Sequence, residues 1–237
     1  MINIATLNGG NMSIVTGTPG PAGHPETRIT FSDGSSDTYE WSGEINNQTM
    51  IDAGLFDENE WTWIKEPVTV DIGNTVTSIG DSAFDECYSL ANVTIPNSVT
   101  VIGNYAFSSC DSLTNVTIPD GVTNIGECTF NGCSSLTSVT IPDSVTSIGY
   151  AAFYYCSGLT SVTISNGVTS IAGSMFSGCS GLKSVTIPDS VTSIGECTFI
   201  SCSGLTSVTF LGKTLEQVQA MDNYPWNIED TSIIHVA

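Results

Sequence analysis

The chain is predicted to fold as a β-rich repeat solenoid. A parallel sheet is joined by short turns or 3₁₀ segments, with a small antiparallel β region before the repeats and a cap helix after them. Three observations carry this. The same residue types recur every 23 residues from about Val76 to Val208, and a fixed period of that size marks stacked supersecondary units. Six phenylalanines (Phe84, Phe107, Phe130, Phe153, Phe176, Phe199) are each followed three residues later by a cysteine (Cys87, Cys110, Cys133, Cys156, Cys179, Cys202). Segments such as Val139-Thr140-Ile141 alternate β-branched apolar and polar residues, the period-two pattern of a strand with one buried face.

Each element follows from its residues. Residues 1–45 read as a small antiparallel attachment region, because Asn8-Gly9-Gly10-Asn11 and Ser32-Asp33-Gly34-Ser35 each divide alternating runs, as hairpin turns do. The stretch 17–23, rich in Pro and Gly, is a loop. Residues 46–75 form an N-terminal cap and half-repeat: Met50, Ile51, Leu55 and Phe56 allow a short helix within 48–60, and Val70 and Ile72 precede Val93 and Ile95 by one period. Residues 76–212 are six repeats, whose second apolar run (Val145-Thr146-Ser147-Ile148-Gly149) is also extended and leads into a compact turn ending at the cysteine. That turn is too short for a regular α-helix and suits one 3₁₀ turn. Residues 213–237 form the C-terminal cap, in which Thr214 and Gln217 make a capping box and Leu215, Val218 and Met221 fall at helical spacing over 215–222.

The spacing L-x-x-V-x-I-P, V-x-x-I-G, F-x-x-C-x-x-L resembles the BspA-like class of bacterial leucine-rich repeats over roughly 60% of the chain. That resemblance implies a leucine-rich-repeat solenoid with a parallel sheet on one side, and short strands or turns on the other. It also implies a role in surface attachment or recognition, and it brings no catalytic residues. Ser165 and Leu211 depart from the usual proline, Ala172 from glycine and Phe210 from isoleucine.

Composition narrows the function classes. Twenty-four acidic against four basic residues give a net charge of −20, so phosphate backbones and anionic lipid surfaces repel the chain and nucleic acid is not an expected partner. The first ten residues lack the basic start and apolar stretch of a secretory signal, and no apolar run approaches a membrane span, so no membrane insertion is expected. No enzyme, cofactor or metal site is expected either. The two histidines, His24 and His235, lie outside the repeats, and no G-x-S-x-G occurs. Gly212-Lys213-Thr214 lacks the earlier glycine of a phosphate loop. The acidic residues scatter over different repeat positions and build no calcium cage. Six of eight cysteines hold one inward repeat position and read as reduced core thiols. The extra pair, Cys128 and Cys197, is separated by three rungs, roughly 14 Å at strand spacing, too far for one zinc site.

A non-catalytic recognition or adhesion module therefore remains, binding a protein or glycan through a solenoid face or edge. The alternative is a structural part of a virion or surface assembly, joined or self-associated through residues 1–45. Two files of hydroxyl and amide residues, including Thr140 and Ser138, are expected to face solvent on one sheet, and a third including Thr146 on the other. The partner-binding candidates are Tyr150, Tyr154 and Tyr155 of the fourth repeat, with Tyr105 two rungs away. Tyr154 and Tyr155 stand between the inward anchors Phe153 and Cys156, where the other repeats carry mostly Ser, Gly, Asn or acidic residues. Exposed tyrosines lose little entropy on binding and are enriched at hot spots.

Overall fold

The structure, a computed structural model, describes residues 25–60 and 62–237. The hairpin expected at 8–11, the loop 17–23 and His24 lie outside them. Before the repeats the chain forms β1 (Thr27–Phe31), β2 (Ser36–Tyr39), β3 (Gly43–Ile45), α1 (Asn47–Asp52), β4 (Phe56–Asp57), β5 (Thr62–Trp63) and β6 (Pro67–Asp71). β1 and β2 make an antiparallel hairpin, and Gly34 supplies the left-handed residue of its turn (φ 80°). β1 also pairs antiparallel with β6, which pairs in parallel with Asn92–Thr94. This hairpin is thus continuous with the first rung. β3 pairs in parallel with Val76–Ile79, because Ile45 falls beside Ile79 and behaves as an extra rung.

The short helix expected within 48–60 is α1, capped by Asn46, whose side chain accepts from the Thr49 N–H while Thr49 Oγ1 accepts from the Asn46 N–H. It ends before Gly54 (φ 68°), and later in that segment β4 pairs antiparallel with β5 just beyond it.

In the repeats, equivalent residues sit directly over one another: Val139 pairs with Val162, Val162 with Val185 and Val185 with Val208. One file of strands includes Ser138–Ile141, Ser161–Ile164, Ser184–Ile187 and Ser207–Phe210; the other includes Val101–Ile102, Asn124–Ile125 and Ser147–Ile148. The apolar side chains of both files point inward with the Leu, Phe and Cys columns, giving one continuous core. Fully burying each such side chain contributes roughly 1.5–3 kcal/mol. The Phe rings stack face to face at 5.4–5.5 Å from Phe84 to Phe153, and at 6.0 Å from Phe153 to Phe176 and on to Phe199. Trp63 lies parallel to Phe84 at 6.4 Å and closes the stack.

At the first of these two wider intervals the sequence differs locally. In the other five repeats the residue after the second strand is glycine, and a Cβ built there would stand 2.4 Å from the Glu127 nitrogen at Gly149 and 2.5 Å from the Gly103 carbonyl carbon at Gly126. Ala172 carries a methyl at that position. The second file breaks there: Ser147–Ile148 and Ser170–Ile171 belong to different sheets.

The turn between Gly and Cys is not a 3₁₀ helix. Each turn holds two residues in the left-handed region, one two places before the Phe (Ser82, Tyr105, Cys128, Ala151, Ser174, Cys197) and one just before the Cys (Glu86, Ser109, Gly132, Tyr155, Gly178, Ser201). Those reversals aim backbone N–H groups along the solenoid axis. Residues 128, 130 and 132 donate to the carbonyls of 150, 152 and 154 in the next rung. The turns therefore form a third hydrogen-bonded ladder, which a 3₁₀ helix, bonding within itself, could not.

At the far end Thr214 caps the helix α2 (Leu215–Gln219) through the expected box with Gln217. The helix stops at Gln219 rather than 222, and only Val218 of its three apolar residues is fully buried. Trp226, wholly buried against Phe210, covers the last rung, and Ile234–Val236 adds a final parallel strand beside Ser207–Phe210.

Candidate functional site

Most exposed side chains on the two strand files are Ser, Thr and Asn. In the second file hydroxyls are engaged by the fold: Thr100, Thr123 and Thr146 each donate to the carbonyl of the threonine one rung earlier. In the first file Ser138, Thr140, Ser161, Thr163, Ser184 and Thr186 face solvent as expected.

The cysteine column explains itself in the same way. Each thiol from Cys110 to Cys202 donates to the carbonyl of the Phe one rung back at 3.0–3.3 Å. That carbonyl also accepts the N–H of its own rung's cysteine, as Phe107 does from Cys110. Cysteine is a small apolar side chain with one weak donor, and that is what the position requires. Burial pushes the thiol pKa up, to about 12 at Cys133 and Cys202. All eight cysteines are free thiols, with Cys128 and Cys197 half-buried. Among the described residues, no group of three or more His, Cys, Asp or Glu side chains could hold a metal ion.

The turn ladder differs in chemistry from both strand files. Five of the seven tyrosines lie on it, and none of the four Lys and Arg residues does. Tyr88, Tyr105, Tyr150 and Tyr155 are 50%, 43%, 55% and 54% exposed. Tyr154 is half-buried, and its ring meets Tyr155 edge-on at 4.5 Å. The expectation that both residues between Phe and Cys face solvent is corrected at the first of them. Ser108 and Ser177 are buried there, because the backbone reverses only at the second, left-handed residue and aims that one outward.

Neighbouring rungs buttress the tyrosines. Tyr155 lies over Gly178, where a Cβ would come within 3.0 Å of its ring, and Tyr150 lies over Gly173 while its hydroxyl accepts from Ser174 at 3.0 Å. Tyr105 is two rungs from this cluster and neighbours Cys128 and Glu127. A hydrogen bond with Cys128 raises its pKa, with the nearby carboxylates adding to the shift. Burial, then Glu86, raises Tyr88, and burial, then Tyr155, raises Tyr154. These three phenols stay protonated donors at neutral pH.

Sequence reasoning passed over Tyr88, which sits just after the cysteine and not between Phe and Cys. The signal was present, since every other repeat carries Asp or Ser there. Trp63 was passed over too. It stands 21 residues before Phe84, out of period, and only its ring stack and its Nε1–H donating to the Asp85 carbonyl at 2.9 Å reveal the cap.

A stacked parallel solenoid with an apolar core and a patterned outer surface defines the class: a solenoid repeat protein. The sequence pattern of the BspA type leucine-rich repeat region matches in six copies over residues 49–179 and 123–227, and the chain belongs to that family. Among solved structures it is similar to a leucine-rich repeat protein of T. pallidum, with 34% identity over 58% of this chain and 64% of that one and a TM-score of 0.55. It is also similar to a leucine-rich cell surface protein of Faecalibacterium prausnitzii, with 28% identity over 71% of this chain and 59% of that one and a TM-score of 0.44. The chain thus spans less than two thirds of the length of either. No curated protein matches. The family is one of non-enzymatic recognition proteins. Among the described residues no helix is long and apolar enough to cross a membrane.

Proposed function

We propose that this protein is a surface recognition module that grips a protein partner along its turn edge, with Tyr150, Tyr154 and Tyr155 at the centre of the contact and Tyr88 and Tyr105 extending it. The observation that carries this reading is the concentration of four exposed tyrosines on one edge, whereas the two strand files present mostly Ser, Thr and Asn. Tyrosine gives a large contact area for two torsions and a hydroxyl that can pair. The hydroxyl files offer no aromatic ring for a partner to pack on, so the contact falls on the edge rather than on the sheet faces.

Photo-cross-linking tests this. A cross-linking residue placed at 155 captures the partner, while one at 140, on the sheet face, does not. The double variant Tyr154→Ser, Tyr155→Ser weakens binding by about 1–2 kcal/mol, the usual hot-spot scale, at an unchanged melting temperature. Capture from 140 alone, or undiminished affinity in the double variant, rules out the edge.

A further inference from the structure

The tyrosine edge also carries a charge pattern, and that pattern selects among protein partners. Six acidic residues lie within the turns (Asp81, Asp85, Glu86, Asp111, Glu127, Glu196), five of them in the first three rungs. The four basic residues lie elsewhere, and of these Lys65 and Lys213 pair with Asp37 and Asp189. A second copy of this chain, itself at −20, would meet this edge with repulsion.

At the N-terminal end of the edge is a depression lined by Thr62, Trp63, Glu66, Glu86 and Tyr88. It combines two aromatic rings with two carboxylates. Trp63 is fixed by its stack on Phe84 and its bond to the Asp85 carbonyl. Glu66 is fixed because its Oε1 accepts the Ser89 N–H at 2.8 Å. Rings and carboxylates that need not reorganise are the setting in which a guanidinium or ammonium gains from both cation–π and charge-assisted contacts. From this depression, on the first rung, to Tyr155 on the fourth is three rungs at 5.4–5.5 Å. That is roughly 16 Å, the length of about five extended residues.

Resting on the contact edge proposed above, we infer that its partner is an extended basic segment of another protein. An arginine or lysine of that segment occupies the depression between Trp63, Tyr88, Glu66 and Glu86, and its chain runs across Tyr105 to the Tyr150–Tyr155 cluster. Arginine fits better than lysine, since its planar group stacks on rings while pairing with a carboxylate.

The probe is a fluorescently labelled Arg-Ser-Arg-Ser-Arg-Ser peptide, with Lys-for-Arg and Glu-for-Arg versions, titrated into the full chain at physiological salt and followed by anisotropy. The Arg peptide binds more tightly than the Lys peptide, and the Glu peptide does not bind. Glu66→Gln with Glu86→Gln, and separately Tyr88→Ser, each weaken the Arg peptide about tenfold. Glu216→Gln with Glu229→Gln, on the far cap, leaves it unchanged. No binding of the Arg peptide overturns the inference, as does an equal loss from the cap variants, which would mean diffuse charge attraction. The cross-link from 155 separates the two readings: a captured segment without basic residues overturns this inference and leaves the contact edge standing, whereas no capture removes both.

Discussion

The phenylalanine stack makes a quantitative claim about cooperation between rungs, which substitution to leucine tests. Phe107 and Phe130 are fully buried, and each stacks on two rings at 5.4–5.5 Å. A stacked aromatic pair contributes about 0.5–1.5 kcal/mol beyond its area. Phe130→Leu loses two such contacts and is expected to cost about 1–3 kcal/mol on that scale. Combining it with Phe107→Leu removes three contacts in all, not four, because the shared one is lost only once. The double variant should therefore be more stable than the sum of singles by one contact, about 0.5–1.5 kcal/mol. The pair Phe84→Leu and Phe153→Leu shares no contact and should be additive within about 0.5 kcal/mol. Urea unfolding reads both cycles from the midpoints, provided the slope m is unchanged. Equal coupling in the two cycles would refute the stack as an energetic unit.

Other outcomes follow from the same geometry. Ala172→Gly is expected to let the fifth rung settle on the fourth, seen as slower hydrogen exchange at Ser170 and Ile171, whereas Gly149→Ala, whose methyl meets the Glu127 backbone, should lose about 1–3 kcal/mol by overpacking. A native-state thiol assay should find Cys128 and Cys197 reacting first and eight thiols on unfolding; four or more in disulfides after non-oxidising purification would contradict the reduced ladder. Burial raises Cys133 and Cys202 to about 12, while an unfolded thiol titrates near about 8.5. The native chain thus keeps protons that the unfolded chain releases: the contribution is whole below about pH 8 and fades as pH rises toward 12, so a melting temperature unchanged from pH 8 to 11 would contradict it. Deleting residues 213–237 exposes the last rung and an open strand edge and should cause aggregation; a monomeric truncation that melts like the parent would refute the cap.

The core was legible because a solenoid writes it six times. Val, Ile, Leu, Phe and Cys return at a fixed interval, and every one of those columns is inward-facing. What the sequence concealed was backbone handedness. Ser, Tyr, Cys and Ala all occupy the left-handed position before the Phe, so no glycine announces it. These strained residues, at a cost of about 1–3 kcal/mol each, are held by the inter-rung ladder rather than by their own preference. Residues outside the period were equally hidden, since Trp63 and Trp226 act through contacts with no repeat to predict them. Of the interaction surface, the Tyr154–Tyr155 anomaly was visible in an alignment of the repeats with one another, but only the structure shows which of the two faces outward.

Stability and recognition rest on different atoms in this fold. Three backbone N–H groups per turn bond to the next rung, so the turn's conformation does not depend on which side chain stands at its outward positions. Glu86, Ser109, Gly132, Tyr155, Gly178 and Ser201 occupy the same place with φ between 55° and 77°, although their chemistry ranges from a carboxylate to a phenol. The inward columns cannot vary in that way, because from Phe84 to Phe176 each Phe carbonyl is shared between an N–H and a thiol and each ring is shared between two neighbours. A change at the edge therefore touches at most the turn it lies over, as Tyr155 lies over Gly178, while a change in a column is felt by the rungs above and below. It follows that outward departures from the repeat carry more information about partners than the repeat itself. Tyr88, Tyr105, Tyr150 and Tyr155 are such departures, placed where the backbone tolerates them and where no packing demand calls for an aromatic ring.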